Sequence, residues 1–394
     1  MCGIFGYVGA GANPEVLIEG IKRLEYRGYD SWGVCVACDD QLTMLRRVGR
    51  IGGVDAADLD LGGKGCLSGI AHTRWATHGA PTEANAHPHA DCTGQIALIH
   101  NGIIENYGSL REKLRAQGHR FRSETDTEVI PHLIEELLKS EPSFDAAFQG
   151  ALRLLVGAYG IAAMWAEDPG AIYVARHGSP IVLGLGKDRT LVASDPAPLV
   201  AHTREVIYLD DGELAILHCD GFETRTLEGA SVNKRVQQIA FGLPDIERGG
   251  FPHFMLKEIS EQPESIHNAY RGRIVRAEGT AKLGGVDEAL LRKVQRCHIV
   301  ACGTSWNAGL IGKYLLENLA RVPTQVSYGA EFRYSHPVIE AGTLVIAISQ
   351  SGETADTLAA VREAKIVGAD TIGVCNVVGS TIARECGKDR KSVV

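Results

Sequence analysis

The chain begins Met1-Cys2-Gly3, and Cys2 is the residue whose position suggests the most specific chemistry. Cysteine is small enough for the initiator methionine before it to be removed, which leaves a thiol and a free α-amine on one residue. A nucleophile needs a nearby base, and a terminal amine with a pKa of about 7.7–8.0 can take the thiol proton directly or through a water. A cysteine at position 2 is, by itself, more often a small buried residue. The sequence therefore predicts a nucleophilic Cys2 only if other residues supply a substrate pocket.

Polar residues in three stretches can complete such a pocket: residues 72–79, 99–106 and 124–128. Arg74 can grip a carboxylate with two parallel hydrogen bonds. Asn101 and the backbone N–H of Gly102, at the end of a predicted strand, can hold a developing oxyanion. Asp126 can hold an ammonium group. Each feature has an ordinary alternative, namely a surface arginine, a turn and an acid in the first turn of a helix.

Two serine- and threonine-rich turns near the end of the chain suggest a second site. Thr304-Ser305 and the segment 349–354 each follow a predicted strand and precede a predicted helix. Hydroxyl groups, backbone N–H groups and a helix N-terminus can hold a phosphate without lysine. One such turn is usually only a helix cap, but two equivalent turns in one sheet favour a ligand site.

The hydrophobic pattern divides the chain. Alternating strands and a few helices predict sheets covered by helices over residues 1–240. A change of composition predicts a linker over 241–284, with a helix from Phe254 that ends at Pro263. Repeated strand–turn–helix units over 285–388 predict an α/β doubly wound parallel sheet.

Composition restricts the partners and the compartment. The net charge of −8 argues against nucleic acid and anionic membranes as partners, and no apolar run is long enough to cross a membrane. The N-terminus has no positive segment of the kind that begins a signal peptide. Ten scattered cysteines without an export signal predict reduced thiols and a cytoplasmic protein. Cys35 and Cys38 have no second pair of ligands nearby, so we expect structural cysteines and no metal site.

With these motifs in hand, residues 1–240 resemble the glutaminase domain of class II glutamine amidotransferases. The resemblance implies an N-terminal nucleophile hydrolase of the α+β class, with two antiparallel sheets between helical layers (αββα). It implies that Cys2 attacks the side-chain amide of glutamine, with its own amine as base. Asn101 and Gly102 would form the oxyanion hole, and Arg27 would help to order the terminus.

The same resemblance implies the residues that bind glutamine. Arg74 would bind its α-carboxylate and Asp126 its α-ammonium group. Trp75, Thr77 and His78 belong to a loop that would close over the substrate, with Trp75 gating the passage of ammonia.

The last part of the chain resembles the sugar isomerase (SIS) domains, which bind phosphosugars. The resemblance assigns sugar-phosphate binding to six residues: Thr304, Ser305, Ser349, Gln350, Ser351 and Thr354. A glutaminase domain followed by these motifs is similar to the glutamine-dependent transaminases that convert D-fructose 6-phosphate and L-glutamine to D-glucosamine 6-phosphate and L-glutamate. Such enzymes supply amino sugar biosynthesis, pass ammonia through an internal channel and need no metal or organic cofactor. A homodimer is expected of a full-length member.

The family pattern continues past residue 394 with a second SIS domain and a tail that carries a Schiff-base lysine. We therefore expect the first SIS domain, 285–388, to be incomplete, residues 389–394 to be an artefactual tail, and the chain as given to hydrolyse glutamine only. Two alternatives stay open. One is a non-catalytic phosphosugar sensor, and the other is a class II amidotransferase with a different acceptor.

Overall fold

The computed structural model describes residues 2–9, 13–38, 41–59, 61, 66–76, 78–239, 242, 247–275, 277, 279–281, 283, 286, 288–377 and 380–386. Thr77 and the predicted artefactual tail therefore lie outside the described residues. The chain divides into two compact units, Met1–Glu247 and Arg248–Val394. No helix in the described ranges is long and apolar enough to cross a membrane.

The first unit is built around two sheets. Its strands are β1 (Gly3–Gly9), β2 (Ser31–Cys38), β3 (Gln41–Val48), β4 (Ser68–Arg74), β5 (His89–Ala90), β6 (Ile96–Ile104), β7 (Gly157–Trp165), β8 (Asp168–His177), β9 (Val182–Gly186), β10 (Arg189–Ala193), β11 (Glu205–Tyr208), β12 (Glu213–His218), β13 (Gly221–Thr226) and β14 (Gln237–Gln238). The eight-stranded sheet has the order β14-β11-β9-β10-β1-β4-β2-β3, and the six-stranded sheet has the order β13-β12-β8-β7-β6-β5. The neighbours within each sheet run antiparallel.

Helices cover the outer faces of both sheets. They are α1 (Pro14–Lys22), α2 (Tyr107–Ala116), α3 (Val129–Leu138) and α4 (Phe144–Leu154). An apolar layer that includes Ile4 and Ile70 of one sheet and Ile99 and Val174 of the other fills the space between the sheets. Separate apolar clusters join α1 to the first sheet and α2–α4 to the second. The predicted αββα arrangement is therefore confirmed.

Strand pairing places the predicted catalytic residues. Cys2 directly precedes β1, which lies in the middle of the eight-stranded sheet. Gly3 pairs with Thr73 of β4, so the residue after Thr73, Arg74, lies next to Cys2 at the same end of the sheet. Asn101 lies in β6 of the facing sheet, where it pairs with Gly160.

The second unit contains a four-stranded parallel sheet of order β18-β17-β19-β20, which confirms the predicted doubly wound sheet. The strands of this sheet are β17 (Arg296–Ala301), β18 (Thr324–Tyr328), β19 (Thr343–Ser349) and β20 (Asp370–Cys375). The unit also contains a two-stranded antiparallel sheet of β15 (Ile274–Val275) and β16 (Thr280–Ala281). Its helices are α5 (Phe254–Tyr270), α6 (Glu288–Leu291), α7 (Thr304–Leu315), α8 (Gly329–Tyr334), α9 (Ala355–Ile366) and α10 (Thr381–Glu385). A π-helical turn, Leu316–Ala320, extends α7.

The structure corrects the prediction that the helix from Phe254 ends at Pro263. Helix α5 continues through Pro263 to Tyr270. A proline removes one backbone N–H and strains the preceding turn, but it does not have to end a helix of 17 residues. At the start of this helix, the His253 side chain accepts a hydrogen bond from the backbone N–H of Leu256.

The structure also corrects the expectation that all ten cysteines are reduced. Cys38 and Cys66 form a disulfide across 28 positions of sequence. Cys35 faces the opposite side of β2, where it is buried between the two sheets. The pairing depends on the fold, because only strand packing brings Cys66, just before β4, beside the end of β2.

Candidate active site

Cys2 lies half-buried at the start of β1, and its thiol contacts the backbone of Trp75. The backbone N–H of Trp75 lies 3.3 Å from Sγ, and the S–H group lies 3.6 Å from the Trp75 carbonyl oxygen. Burial raises the pKa of the Cys2 thiol, and the Trp75 N–H and the Arg74 charge oppose that rise. Since the thiolate is the nucleophile, a thiol with a raised pKa needs a base next to it.

Asn101 and Gly102 are held against the nucleophilic residue. The side-chain amide of Asn101 donates a hydrogen bond of 3.0 Å to the Cys2 carbonyl oxygen. Gly102 has a φ of +136°, and a Cβ at this position would lie 1.9 Å from the carbonyl oxygen of Ala158. Only glycine therefore fits here, for both conformational and steric reasons. The side-chain amide of Asn101 and the backbone N–H of Gly102 therefore lie near Cys2 and can donate hydrogen bonds to an atom that its thiol attacks.

His72 orients the Asn101 side chain, a role that the sequence analysis did not foresee. Its Nε2 lies 3.0 Å from Asn101 Oδ1 and 3.2 Å from the carbonyl oxygen of His100. Both partners are acceptors, so Nε2 carries the proton and donates it. Burial lowers the pKa of His72 to about 3, which keeps the ring neutral. Because Oδ1 is occupied by this donor, the Asn101 NH₂ group points toward Cys2.

Further buried histidines support this arrangement from behind. His100 Nδ1 and His87 Nε2 lie 2.9 Å and 3.0 Å from the same hydroxyl, Thr127 Oγ1. The His72 and His87 rings are 4.1 Å apart. Burial lowers the pKa of both His87 and His100. The sequence shows four histidines at positions 72, 87, 89 and 100, but only the fold shows that they are buried together behind Asn101.

Arg74 is buried, and its guanidinium holds the loop that follows it. It donates to the carbonyl oxygens of His78, of Gly79 at 3.1 Å and of Ala80 at 3.4 Å. Burial lowers its pKa, and the nearby Cys2 thiolate and Asp126 carboxylate oppose that shift. The donors predicted for a substrate carboxylate are thus engaged by loop carbonyls in this structure.

Two further residues of the predicted substrate loop are described: Trp75 is exposed, and His78 is half-buried. The Trp75 ring is 44% exposed and meets the Tyr29 ring edge-on at 5.3 Å. The His78 ring meets the Tyr107 ring edge-on at 5.7 Å. Neither contact reveals a substrate-binding role, so their roles remain predictions.

Asp126 lies near the thiol and belongs to the same group of residues. Its carboxylate accepts a hydrogen bond of 2.8 Å from the backbone N–H of Ile104, two residues after Gly102. Asp126 and Arg74 both act electrostatically on the Cys2 thiol. The structure therefore places a carboxylate, a guanidinium and an amide around Cys2.

Arg27 is buried in the wall beside β1. It forms an ion pair of 3.0 Å with Asp195, which also accepts a hydrogen bond from the Tyr26 hydroxyl. The residue before Asp195 is Ser194, whose hydroxyl accepts from the backbone N–H of Ile4. Arg27 is thus linked through adjacent residues to the start of β1, near the terminus that it is predicted to order.

The two predicted phosphate-binding turns lie at one edge of the parallel sheet. Thr304 and Ser305 begin α7 directly after β17, and the segment 349–354 follows β19, its neighbour in the sheet. The connection after β17 leads to β18 on one side of the sheet, and the connection after β19 leads to β20 on the other side. Open α/β sheets bind ligands at such a switch in strand order. The Thr357 hydroxyl reaches Cys302 Sγ at 3.5 Å and joins the two turns.

Internal hydrogen bonds shape the second turn. Ser349 Oγ accepts from the backbone N–H of Gly352 at 3.0 Å and lies 3.1 Å from Thr354 Oγ1. Ser351 Oγ accepts from the backbone N–H of Glu353 at 3.1 Å. Gln350 is exposed between them. These bonds fold the turn into a compact polar loop above the start of α9.

Protein-family models match the two compact units separately. A glutamine amidotransferase domain matches residues 72–201, and a SIS domain matches residues 290–390. Each match falls within one of the two units.

Curated relatives match nearly the whole chain. A protein named glutamine–fructose-6-phosphate aminotransferase (isomerizing) from Chlorobaculum tepidum is 50% identical over 98% of this chain and 64% of its own length. Relatives of the same name from Thermus thermophilus and Pyrococcus horikoshii are 49% and 44% identical over 98% of this chain and 63% of theirs. The chain therefore spans just under two thirds of the length of these relatives.

Solved structures show the same fold at lower identity. The glutamine phosphoribosylpyrophosphate amidotransferase of B. subtilis, complexed with ADP and GMP, has a TM-score of 0.50 and 21% identity, with 95% of this chain and 81% of that chain covered. A structure described as the allosteric regulatory enzyme of purine biosynthesis has a TM-score of 0.51, also at 21% identity, covering 95% and 80%.

Proposed function

We propose that the first unit releases ammonia from L-glutamine at Cys2 and that the second unit binds D-fructose 6-phosphate, as the similarity to isomerizing glutamine–fructose-6-phosphate aminotransferases suggests. The observation that carries the proposal is the grouping of three side chains around Cys2: Asn101 donates to its carbonyl oxygen, and Arg74 and Asp126 act electrostatically on its thiol. The full reaction of this family, which yields D-glucosamine 6-phosphate and L-glutamate, is proposed for the complete protein.

The hydrolysis proceeds through a thioester. After removal of Met1, the Cys2 amine takes the thiol proton, and Sγ attacks the side-chain carbonyl carbon of glutamine. The Asn101 NH₂ group and the Gly102 N–H hold the oxyanion that forms, and His72 keeps the amide in the donating orientation. The proton returns from the Cys2 ammonium to the departing nitrogen, so ammonia leaves. Water then attacks the γ-glutamyl thioester, which releases glutamate and restores the thiol.

Substrate binding divides between the two charged side chains. The Arg74 guanidinium binds the α-carboxylate when it exchanges loop carbonyls for the substrate. The Asp126 carboxylate, held by the Ile104 N–H, binds the α-ammonium group. Glutamine then spans the space from these charges to Cys2, with Trp75 and His78 in the loop above it.

The acceptor binds at the edge of the parallel sheet. Hydroxyl groups of Thr304, Ser305, Ser349, Ser351 and Thr354, together with Gln350, receive the phosphate of fructose 6-phosphate. The N-termini of α7 and α9 add favourable dipoles for an anion. This assignment rests on the position of the two turns beside β17 and β19.

The decisive experiment measures glutamate release from glutamine by the chain and by its Cys2→Ala variant. We expect the variant to lose activity by about three orders of magnitude or more, as loss of a nucleophile does in other enzymes. Calorimetric titration with fructose 6-phosphate tests the second unit separately, and Ser349→Ala is expected to weaken binding. Equal glutamate release by both proteins would reject the assignment of Cys2, whatever the outcome for the sugar phosphate.

A further inference from the structure

A compact group of metal-ligand side chains lies in the first unit, apart from Cys2. It consists of Cys92 between β5 and β6, His119 after α2, and His132 and Glu135 on α3. One ligand atom from each residue lies within 4.8 Å of all the others. His119 and His132 are buried, and Cys92 and Glu135 are half-buried. The group therefore joins three elements at an interior position.

Four of the six distances among these atoms match those around one tetrahedral ion. Cys92 Sγ lies 3.6 Å from His119 Nδ1 and 3.5 Å from His132 Nδ1. Zinc–sulfur and zinc–nitrogen bonds of about 2.3 and 2.05 Å at a tetrahedral angle place S and N about 3.5 Å apart. Glu135 Oε2 lies 3.0 Å from His119 Nδ1 and 3.2 Å from His132 Nδ1. Zinc–oxygen bonds of similar length require about 3.3 Å between O and N.

Hydrogen bonds alone do not account for this geometry. Each Nδ1 lies within reach of both Cys92 Sγ and Glu135 Oε2, but a ring nitrogen has at most one proton to donate. The Cys92 thiol also has only one proton. The backbone N–H of Cys92 already donates to the same Glu135 oxygen at 3.0 Å. Four ligand atoms within 4.8 Å of one another are instead what a cation requires.

The surroundings resemble the outer shell of a metal site. His119 Nε2 lies 2.9 Å from the Glu136 carboxylate, which can orient the ring and leave Nδ1 free to bind an ion. The backbone N–H of Arg120 lies 3.5 Å from Cys92 Sγ and can stabilise a thiolate. The buried Nε2 of His132 has no hydrogen-bond acceptor among the described residues, with Glu128 Oε1 at 3.8 Å. A ligand at His132 Nδ1 would hold that ring in place.

We propose that Cys92, His119, His132 and Glu135 bind one structural Zn²⁺ ion. A thiolate, two imidazoles and a carboxylate in a tetrahedron suit zinc better than the hard cations Mg²⁺ and Ca²⁺, which prefer oxygen ligands and higher coordination. All four positions are taken by protein, so the ion has a structural role and does not activate water. This proposal differs from the sequence-based expectation of no metal site.

A bound zinc ion would restrain the segment between His119 and His132. His119 and His132 lie on either side of the segment that carries Asp126 and Thr127. Zinc would join the two ends of this segment to Cys92 and so fix the acid predicted to bind the glutamine ammonium. Hydrogen exchange in residues 120–128 is therefore expected to rise when zinc is removed.

Metal analysis of the untagged full chain tests the site. We expect about one zinc per chain after gel filtration in chelator-free buffer. Cys92→Ser and His132→Asn should each lower bound zinc at least about tenfold, and Glu136→Gln should weaken zinc affinity about 10–100-fold. Cys219→Ser is the matched control, because Cys219 is an exposed free thiol. It should keep its zinc.

Cobalt substitution of the wild-type chain does not depend on whether a variant folds. Co²⁺ added to the zinc-free protein should give an intense tetrahedral ligand-field spectrum with a sulfur-to-cobalt charge-transfer band, and one equivalent of Zn²⁺ should abolish both. Absence of that band, or zinc content unchanged in a folded Cys92→Ser variant, would overturn the proposal. Neither outcome depends on glutamine hydrolysis.

Discussion

Mild acid is expected to destabilise the first unit through its buried histidines. Four of them lie in one interior: His72, His87, His89 and His100. Burial lowers the pKa of His72 and His89 to about 3 and lowers the pKa of the other two as well. Arg74 lies near several of these rings and opposes their protonation, whereas Glu128 and Asp126 favour it. The rings therefore stay neutral in the folded protein at pH values where the unfolded chain is protonated.

The size of the effect follows from the proton balance. Each such histidine stabilises the fold above its unfolded pKa, and this contribution is lost as the pH falls toward the folded pKa. With an unfolded pKa of about 6.5, a change from about pH 7 to about pH 5.5 lowers the free energy of unfolding by about 1.3 kcal/mol per histidine. His72 and His89 together remove about 2.5 kcal/mol, and all four set an upper limit of about 5 kcal/mol. That is a large part of a typical stability of about 5–15 kcal/mol.

Urea unfolding at a series of pH values measures this loss. Trp306 is the tryptophan of the second unit, so tryptophan fluorescence in a Trp306→Phe background reports on the first unit. His89→Gln removes one titrating ring and keeps a side chain able to hydrogen bond Thr125, which lies 3.0 Å from His89 Nε2. This variant should lose about 1.3 kcal/mol less than the parent over the same pH range. His177→Gln is the matched control, because His177 is exposed.

Two results would refute this reasoning. One is a free energy of unfolding that stays constant between about pH 7 and about pH 5.5. The other is a pH dependence of His89→Gln that equals that of the parent, because the ring would then titrate alike in both states.

Three other changes have defined outcomes. Gly102→Ala should abolish glutamine hydrolysis and lower the melting temperature, since its Cβ would lie 1.9 Å from a carbonyl oxygen of the next strand; a fully active variant would contradict this. His72→Leu should lower kcat about 10–100-fold with little change in KM, because Asn101 loses the donor that orients it, and His72→Gln should recover part of that loss. Replacing both Cys38 and Cys66 by serine should lower the free energy of unfolding by about 3–4 kcal/mol, because the disulfide closes a loop of 28 residues. Urea titrations measure this loss, and an unchanged midpoint would show that the bond does not form in solution.

Short motifs predicted four site residues that the fold brings close together. Cys2, Arg74, Asn101 and Asp126 each belong to a stretch whose residue types suit one step of amide chemistry, and the fold brings all four together. The two-sheet arrangement of residues 1–240 was also predicted, because the alternating pattern of strands follows from burial on alternate faces.

Contacts between distant elements could not be predicted in this way. His72 acts on Asn101 across two sheets, and the disulfide joins Cys38 to a residue beyond another strand. The proposed zinc ligands come from two loops and one face of helix α3, and only His132 and Glu135 have a helical spacing in sequence. Pro263 shows that a local rule can also fail. Proline usually ends or kinks a helix, but helix α5 continues through it to Tyr270.

The most direct test is the mass of the N-terminal peptide after the chain reacts with an electrophilic glutamine analogue. We expect a peptide that begins at Cys2 and carries one adduct on its thiol, and we expect excess glutamine to prevent the reaction. A peptide that still carries Met1, or an adduct on another cysteine while Cys2 stays unmodified, would contradict this expectation.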